Sequence, residues 1–440
     1  MASYGLYGER RREPRQYALV SRKGWSFKLA SDTYRSPLTM SPKFLFPLAL
    51  GLLLPIQFVY AERFKVGSIA ATSGPVAELA QAIVDARELA ASHINANGGV
   101  LDGLVVELIS ADSGCDPQVA LDAAAQLAQD PEVGALIGPT CTAPALAIGK
   151  DVAVPAGLAL VSDAATGHAL SDLEDNDLVF RTAVSDAAEG AALAQLAGAL
   201  KLSRIAVIHL NDDYQSDMAR AFSEELMIAG GEVTKTVSYQ PPADDFSSLL
   251  KAASESKPDA LALFTYFSAG GTELLLANER DDAFAKILTP QTMQDEAVVQ
   301  AIKGNALAGK LFSTRPASVV ADPSFKAFAL SYSASGGDAN APFVASGYDA
   351  VFLVALAAQQ AQSTRRADIA RALRQVSGPP GVSIRPGEWA KAKALLGEGI
   401  AVDYRGASGE VDFGSSGDVT ALFYPYTVGP EGGWERVDFE

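Results

Sequence analysis

Two residues of the 440 can form a covalent cross-link, Cys115 and Cys141. Each stands just past an apolar, strand-like run, at 104–110 and 133–137. In a parallel α/β sheet those positions lie side by side at the carboxyl ends of strands, where ligands bind. Two thiols meeting there can close a disulfide, which would stabilise the chain by roughly 3–4 kcal/mol. The alternative is a pair of reduced, half-buried thiols, and the compartment decides between them. Close by, Thr142 opens a helix after a strand, and Thr166 sits in a turn in the same relative place. Backbone N–H groups at such turns, joined by a hydroxyl donor, suit a small carboxylate. The competing reading is that both threonines only cap their helices.

Catalytic constellations are missing from the sequence. No Gly-x-Ser-x-Gly elbow and no phosphate-binding Gly-x4-Gly-Lys-Ser/Thr loop occurs. His93, His168 and His209 fall in three separate segments without metal-ligand spacing, and His209 ends an apolar strand as a core residue would. The pairs Asp212-Asp213 and Asp244-Asp245 read as helix caps and solvated acid rather than an acid/base dyad. The expectation is therefore a protein that is not an enzyme, with no cofactor and no metal.

The amino-terminal stretch addresses the compartment. Lys43 precedes Phe44-Leu-Phe-Pro-Leu-Ala-Leu-Gly-Leu-Leu-Leu-Pro-Ile, too short and proline-broken for a comfortable membrane span. Val59-Tyr60-Ala61 then supplies a cleavage site, so residues 40–61 read as a signal peptide. Residues 1–39 are Arg-rich and patternless, an unstructured leader or an over-long start, with Met40 as the other candidate start beside Met1. An exported chain favours the disulfide. The formal net charge is −17; residues 1–61 hold 9 Lys/Arg and 3 Asp/Glu, so the remainder carries −23. So acidic a chain offers nothing to nucleic acid or anionic lipid. The roughly 380 remaining residues exceed one comfortable core, so two lobes are expected.

Those lobes follow from the patterning. Phe64–Ala70, Leu104–Ser110, Val133–Ile137 and Gly157–Val161 read as strands separated by helical stretches, the first helix bearing apolar residues at 76, 79, 80, 83, 86, 90 and 94. The alternation restarts after Phe180-Arg-Thr: strands at 205–210, 232–238, 260–264 and 286–289 with helices between, then Leu311–Thr314 leading back. Helices at 325–333, 347–360 and 368–375 and strand-like arms at 409–413 and 419–428 finish the chain. Such β-α-β-α order predicts doubly wound parallel sheets.

The motifs Ser73-Gly-Pro-Val-Ala, Ile94-Asn-Ala-Asn-Gly-Gly-Val, Cys115-Asp-Pro, Ile137-Gly-Pro-Thr-Cys141, Ala164-Ala-Thr, Phe180-Arg-Thr, Asp213-Tyr214, Asp245-Phe-Ser and Gly347-Tyr-Asp-Ala come in an order and spacing that resemble one family. It is the leucine/isoleucine/valine-type periplasmic substrate-binding proteins of ABC importers. The resemblance implies an α/β fold of two Rossmann-like lobes joined by three crossings, near Arg181–Ser185, Ser313–Pro316 and Phe413–Asp418. Lobe I would be 62–182 plus 315–413, and lobe II 183–314 plus 414–440. It matches the family's Cys115–Cys141 disulfide. It assigns the ligand carboxylate to Thr142, Ala164 and Thr166, and the closing aromatic residues to Tyr214 and Tyr266. Leu79 and Cys141 are further candidates at the ligand.

Two positions depart from the pattern. After Thr289-Pro290 the family carries a Glu that pairs with the ligand's ammonium; here stands Gln291. Leu79 replaces an aromatic. An amide cannot neutralise an ammonium, and a buried unpaired charge costs several kcal/mol. So either Asp295, Glu296 or another acid reaches the site, or the ligand lacks a free ammonium: a carboxylic acid, amide or modified amino acid. The resemblance implies a periplasmic protein that closes around such a small molecule and delivers it to inner-membrane ABC permease subunits. A ligand sensor of the amide-receptor type is the alternative; the chain reaches Glu440 without an output domain, which favours transport.

Overall fold

The computed structural model describes residues 62–438, except 75, 242–244, 304–306, 318, 430 and 431. The proposed signal peptide, the leader before it and Pro75 lie outside the described residues. The first half alternates β1 (Arg63–Ala70), α1 (Ala77–Ala96), β2 (Val105–Asp112), α2 (Pro117–Gln129), β3 (Val133–Ile137) and α3 (Thr142–Ile148). A π turn leads from α3 into the one-turn α4 (Val154–Ala156), followed by β4 (Ala159–Ser162) and β5 (Val179–Arg181). These five strands form one parallel sheet in the order β2-β1-β3-β4-β5. Short apolar runs with helices between them leave parallel pairing as the way to bury both faces.

The pattern repeats with α5 (Asp186–Ala199), β6 (Arg204–Leu210), α6 (Asp213–Ile228), β7 (Glu232–Tyr239), α7 (Phe246–Ser254), β8 (Ala260–Phe264), α8 (Thr272–Asp281), β9 (Ile287–Thr289), α9 (Glu296–Ile302) and β10 (Leu311–Pro316). The chain then adds α10 (Pro323–Ala334), α11 (Val344–Ala361), α12 (Arg366–Ser377), β11 (Val382–Ile384), α13 (Trp389–Gly397), β12 (Val402–Gly406), β13 (Gly409–Glu410), β14 (Phe423–Val428) and β15 (Trp434–Arg436). The second sheet has the order β15-β14-β10-β9-β8-β6-β7. Its first five strands in the chain run parallel, and β14 and β15 are antiparallel additions at its edge. A small third sheet, β11-β12-β13, completes the fold. α11 is buried along almost its whole length and packs with α1, α12 and β12.

Local chemistry sets where the helices begin. Asp116 accepts from the Gln118 and Val119 amides ahead of Pro117. Asp212, Asp245, Asp295 and Asp322 each accept a first-turn amide of α6, α7, α9 and α10. This is the capping role of a short acid whose oxygen reaches an orphan N–H. β10 belongs to the second sheet, bonded to β9 and β14, and the chain beyond it returns to the core around α11. Two expectations need correction. The 419–428 arm is a strand only from Phe423, and the 409–413 arm only at Gly409–Glu410. α8, α9, α13, β11 and β12 are unanticipated, being short or mixed in polarity, so that tertiary packing decides them.

Arg87 and Asp163 form a fully buried, bidentate ion pair between α1 and the turn after β4, at 2.6 and 2.8 Å. The guanidinium also donates to the Ser68 hydroxyl and the Ile69 carbonyl. Removing one partner strands the other charge. Asp163→Asn is expected to lower unfolding free energy by about 3–5 kcal/mol in urea titration; a loss under about 1 kcal/mol would show that the pair is not the clamp this geometry indicates.

Candidate functional site

The carboxyl ends of β1, β2, β3 and β4 lead to the turns that carry the first group of candidates. Cys115 and Cys141 are joined, with Cα atoms 5.6 Å apart, and pack half-buried against Ala70, Ala71 and Ala80. The bridge ties the turn before α2 to the start of α3. Thr142 is the first residue of α3, yet its hydroxyl does not cap that helix; it accepts from the Gly167 amide at 3.1 Å. That bond brings the two threonine turns together. A side chain at 167 would run into Thr142, so glycine is what permits the approach. Ala164 is buried in the same turn, whose Ala165 amide donates to the Ser162 hydroxyl. Leu79 lies half-buried in the first turn of α1.

The second group comes from the second sheet. Tyr214, at the start of α6, and Tyr266, just after β8, stack with ring centroids 6.3 Å apart. Gln291 follows β9, exposed at the start of a single 3-10 turn. Gln215, adjacent to Tyr214, reaches the Thr292 hydroxyl at 3.4 Å and so links the tyrosines to the Gln291 turn.

Two acids that sequence reasoning did not single out connect these groups. Asp186 and Glu189 lie in the first turns of α5. The Asp186 amide donates to the Thr166 carbonyl at 2.9 Å, and its carboxylate accepts from the Thr166 hydroxyl. Glu189, 3% exposed, accepts from the Gln291 amide at 2.6 Å and from the Gln291 side chain at 3.3 Å. The Thr314 hydroxyl adds a long contact at 3.4 Å. Burial pushes the Asp186 carboxyl up to about 6, against the Thr166 bond and the Arg181 charge. Burial also pushes Glu189 up to about 7, with Asp186 adding to it. Burial, then these two carboxylates, raise the Tyr214 hydroxyl well above the ordinary phenol range. One signal in the sequence pointed to Glu189: it shares a face with Leu193 and Leu196, an acid on an apolar helical stripe. Asp295, weighed as a substitute acid, is occupied as the cap of α9.

Arg181 frames this arrangement. It is buried and donates to Asp418 at 2.5 Å, Ser171 at 2.6 Å and the Gly167 carbonyl at 2.8 Å. On the surface, Arg220 of α6 reaches Asp172 at 3.1 Å, an exposed pair of small energetic weight joining the two groups.

A carboxyl raised in the folded state binds its proton more tightly there than in the unfolded chain. Glu189 therefore costs stability above about pH 7, and the cost fades as pH falls toward its ordinary value near 4.5. The groups facing it are Asp186 on its own helix, Tyr214, Gln291 and Thr314. Glu189→Gln is expected to raise unfolding free energy at pH 8 by on the order of 3 kcal/mol, with little change at pH 4.5. Calorimetric melting at both pH values checks this; equal effects at the two would contradict it.

This pairing of two sheet edges has relatives. A family model described as periplasmic binding protein matches residues 63–394. The chain is 27% identical over 371 residues to the chemotactic signal transduction system substrate-binding protein BasB of Halobacterium salinarum, with 82% of this chain and 84% of that one covered. It is 29% identical over 326 residues to the leucine-specific-binding protein of Salmonella typhimurium, with 72% and 85% covered. An ABC transporter substrate-binding protein from Desulfitobacterium hafniense shares the fold, with a TM-score of 0.62 at 22% identity, over 86% of this chain and 100% of that one. With most of its length inside the family match, the chain belongs to the periplasmic binding protein family.

Proposed function

We propose that this chain is the extracytoplasmic solute-binding component of an ABC importer. It captures one small carboxylate-bearing molecule, an amino acid or a related acid or amide, between its two sheet edges. The observation that carries this reading is the meeting of the Thr142 and Thr166–Gly167 turns at the carboxyl edge of the first sheet, with the stacked Tyr214–Tyr266 pair on the second. Helix-start amides and hydroxyls supply donors for a carboxylate, and the rings supply an apolar face. Leucine-specific and BasB relatives, both named for binding substrates, support the solute class.

The mechanism is closure of two lobes, 62–182 plus 315–413 and 183–314 plus 414–440, about the crossings near residues 181–185, 313–316 and 413–418. Thr142, Ala164 and Thr166 receive the carboxylate first. Tyr214, Tyr266 and Gln291 then close from the other side, and the closed form presents both lobes to inner-membrane permease subunits. The protein acts by binding, without catalysis, in the periplasm. The BasB relative's name supports a second reading, in which the closed form instead docks on a membrane signalling receptor.

Isothermal calorimetry against amino acids, aromatic acids and amides tests the reading. A best ligand is expected to lose about tenfold or more in affinity on Thr166→Ala, since a hydrogen bond to a charged group is removed. Unchanged affinity would remove Thr166 from the carboxylate site.

A further inference from the structure

Four acids are buried among the described residues: Asp163, Glu189, Asp349 and Asp403. Asp163 is clamped by Arg87, and Asp403 pairs through Oδ2 with Arg405 at 2.9 Å while its Oδ1 has no hydrogen bond. Asp349 accepts from the Tyr404 hydroxyl, the Ala407 amide and both the amide and hydroxyl of Ser408, all within 2.8 Å. Glu189 differs. It has one short bond, from the Gln291 amide, two contacts of 3.3 and 3.4 Å, and no cation among the described residues. Of the two buried guanidinium groups among the described residues, Arg87 is committed to Asp163 and Arg181 to Asp418, Ser171 and the Gly167 carbonyl.

A second, independent group lacks a partner beside it. Gln215 is fully buried, gives its amide N–H to Thr292, meets Tyr266, and leaves its Oε1 without a hydrogen bond. The acceptors gathered here are the cation-free Glu189 carboxylate, the unpaired Gln215 Oε1 and the faces of two stacked tyrosines. Such a set attracts a cationic donor and repels an anion. Gln291 is exposed above Glu189, so its side chain, held at 3.3 Å, is the part a cation would displace.

We propose that Glu189 supplies the counter-charge for an ammonium group on the captured solute, with Gln291 covering it and Gln215 accepting a second N–H. This rests on the solute-binding reading above. It resolves the substitution at 291: the negative charge stands on α5, hydrogen-bonded to the amide that occupies the expected position. The solute class narrows to zwitterions, with the carboxylate at the Thr142–Thr166 turns and the ammonium at Glu189.

The test is calorimetric binding of a panel of L-amino acids, each paired with its carboxylic acid lacking the amine, to three purified full-length proteins: wild type, Glu189→Gln, and the charge-swapped double variant Glu189→Gln with Gln291→Glu. Melting curves establish that each is folded. Wild type is expected to prefer the amino acid over its deaminated partner by about tenfold or more. Glu189→Gln erases that preference with less than about threefold change for the plain acid, and the double variant restores it. Amino-acid affinity unchanged in Glu189→Gln, or a wild type that prefers plain acids, overturns the counter-charge while leaving carboxylate capture standing. Binding of neither class overturns both.

Discussion

Arg181 gives its guanidinium at once to the Gly167 carbonyl, the Ser171 hydroxyl and the Asp418 carboxylate. Those three points belong to the turn that carries Thr166 and to the segment leading into β14 of the second sheet. Burial raises the Asp418 carboxyl, but the Arg181 bond and charge overcome this and hold it below the usual carboxylate range. A buried charge pair of this kind contributes less by its net energy than by permitting one arrangement, since any other leaves a charge unpaired. The arrangement it permits holds the Thr166 turn against Thr142 on one side and Asp186 on the other. The disulfide does the same for the neighbouring turn, tying the segment before α2 to the start of α3 where Thr142 stands.

The second sheet contributes a different kind of group. Asp186 and Glu189 begin a helix, where a negative charge is welcome, yet burial pushes both carboxyls up from their ordinary values. A fold selected only for stability would place an amide or an apolar residue on that stripe. Retaining an acid beside stacked tyrosines fits a site that gives up stability for binding, the usual setting for strongly shifted groups.

Much of this was legible beforehand. The strand-helix alternation fixed a doubly wound fold because parallel strands need apolar runs with helical crossovers between them. Cys115 and Cys141 stood at strand ends, and Asp212 and Asp245 carried cap signatures. The candidate residues from Thr142 to Gln291 were reached through resemblance and turn chemistry together. What stayed hidden depends on contacts distant in sequence. Glu189 and Gln291 meet across 102 positions, and nothing local to either announces the other. Thr142 was read as a carboxylate donor with capping as the competing role, and the bond its hydroxyl accepts from Gly167, 25 residues away, was not foreseen. The antiparallel edge of the second sheet was likewise set by pairing between β10 and β14 rather than by their own composition.

The claim on which the rest stands is that one small solute lies between the two edges, touching both. A crystal structure of the full-length protein with its tightest-binding solute tests this most directly. The account predicts the solute's carboxylate within hydrogen-bonding distance of the Thr142 and Thr166 turns and its body against Tyr214 and Tyr266. A solute seated elsewhere, or held by one edge alone with the rings turned away, would contradict it.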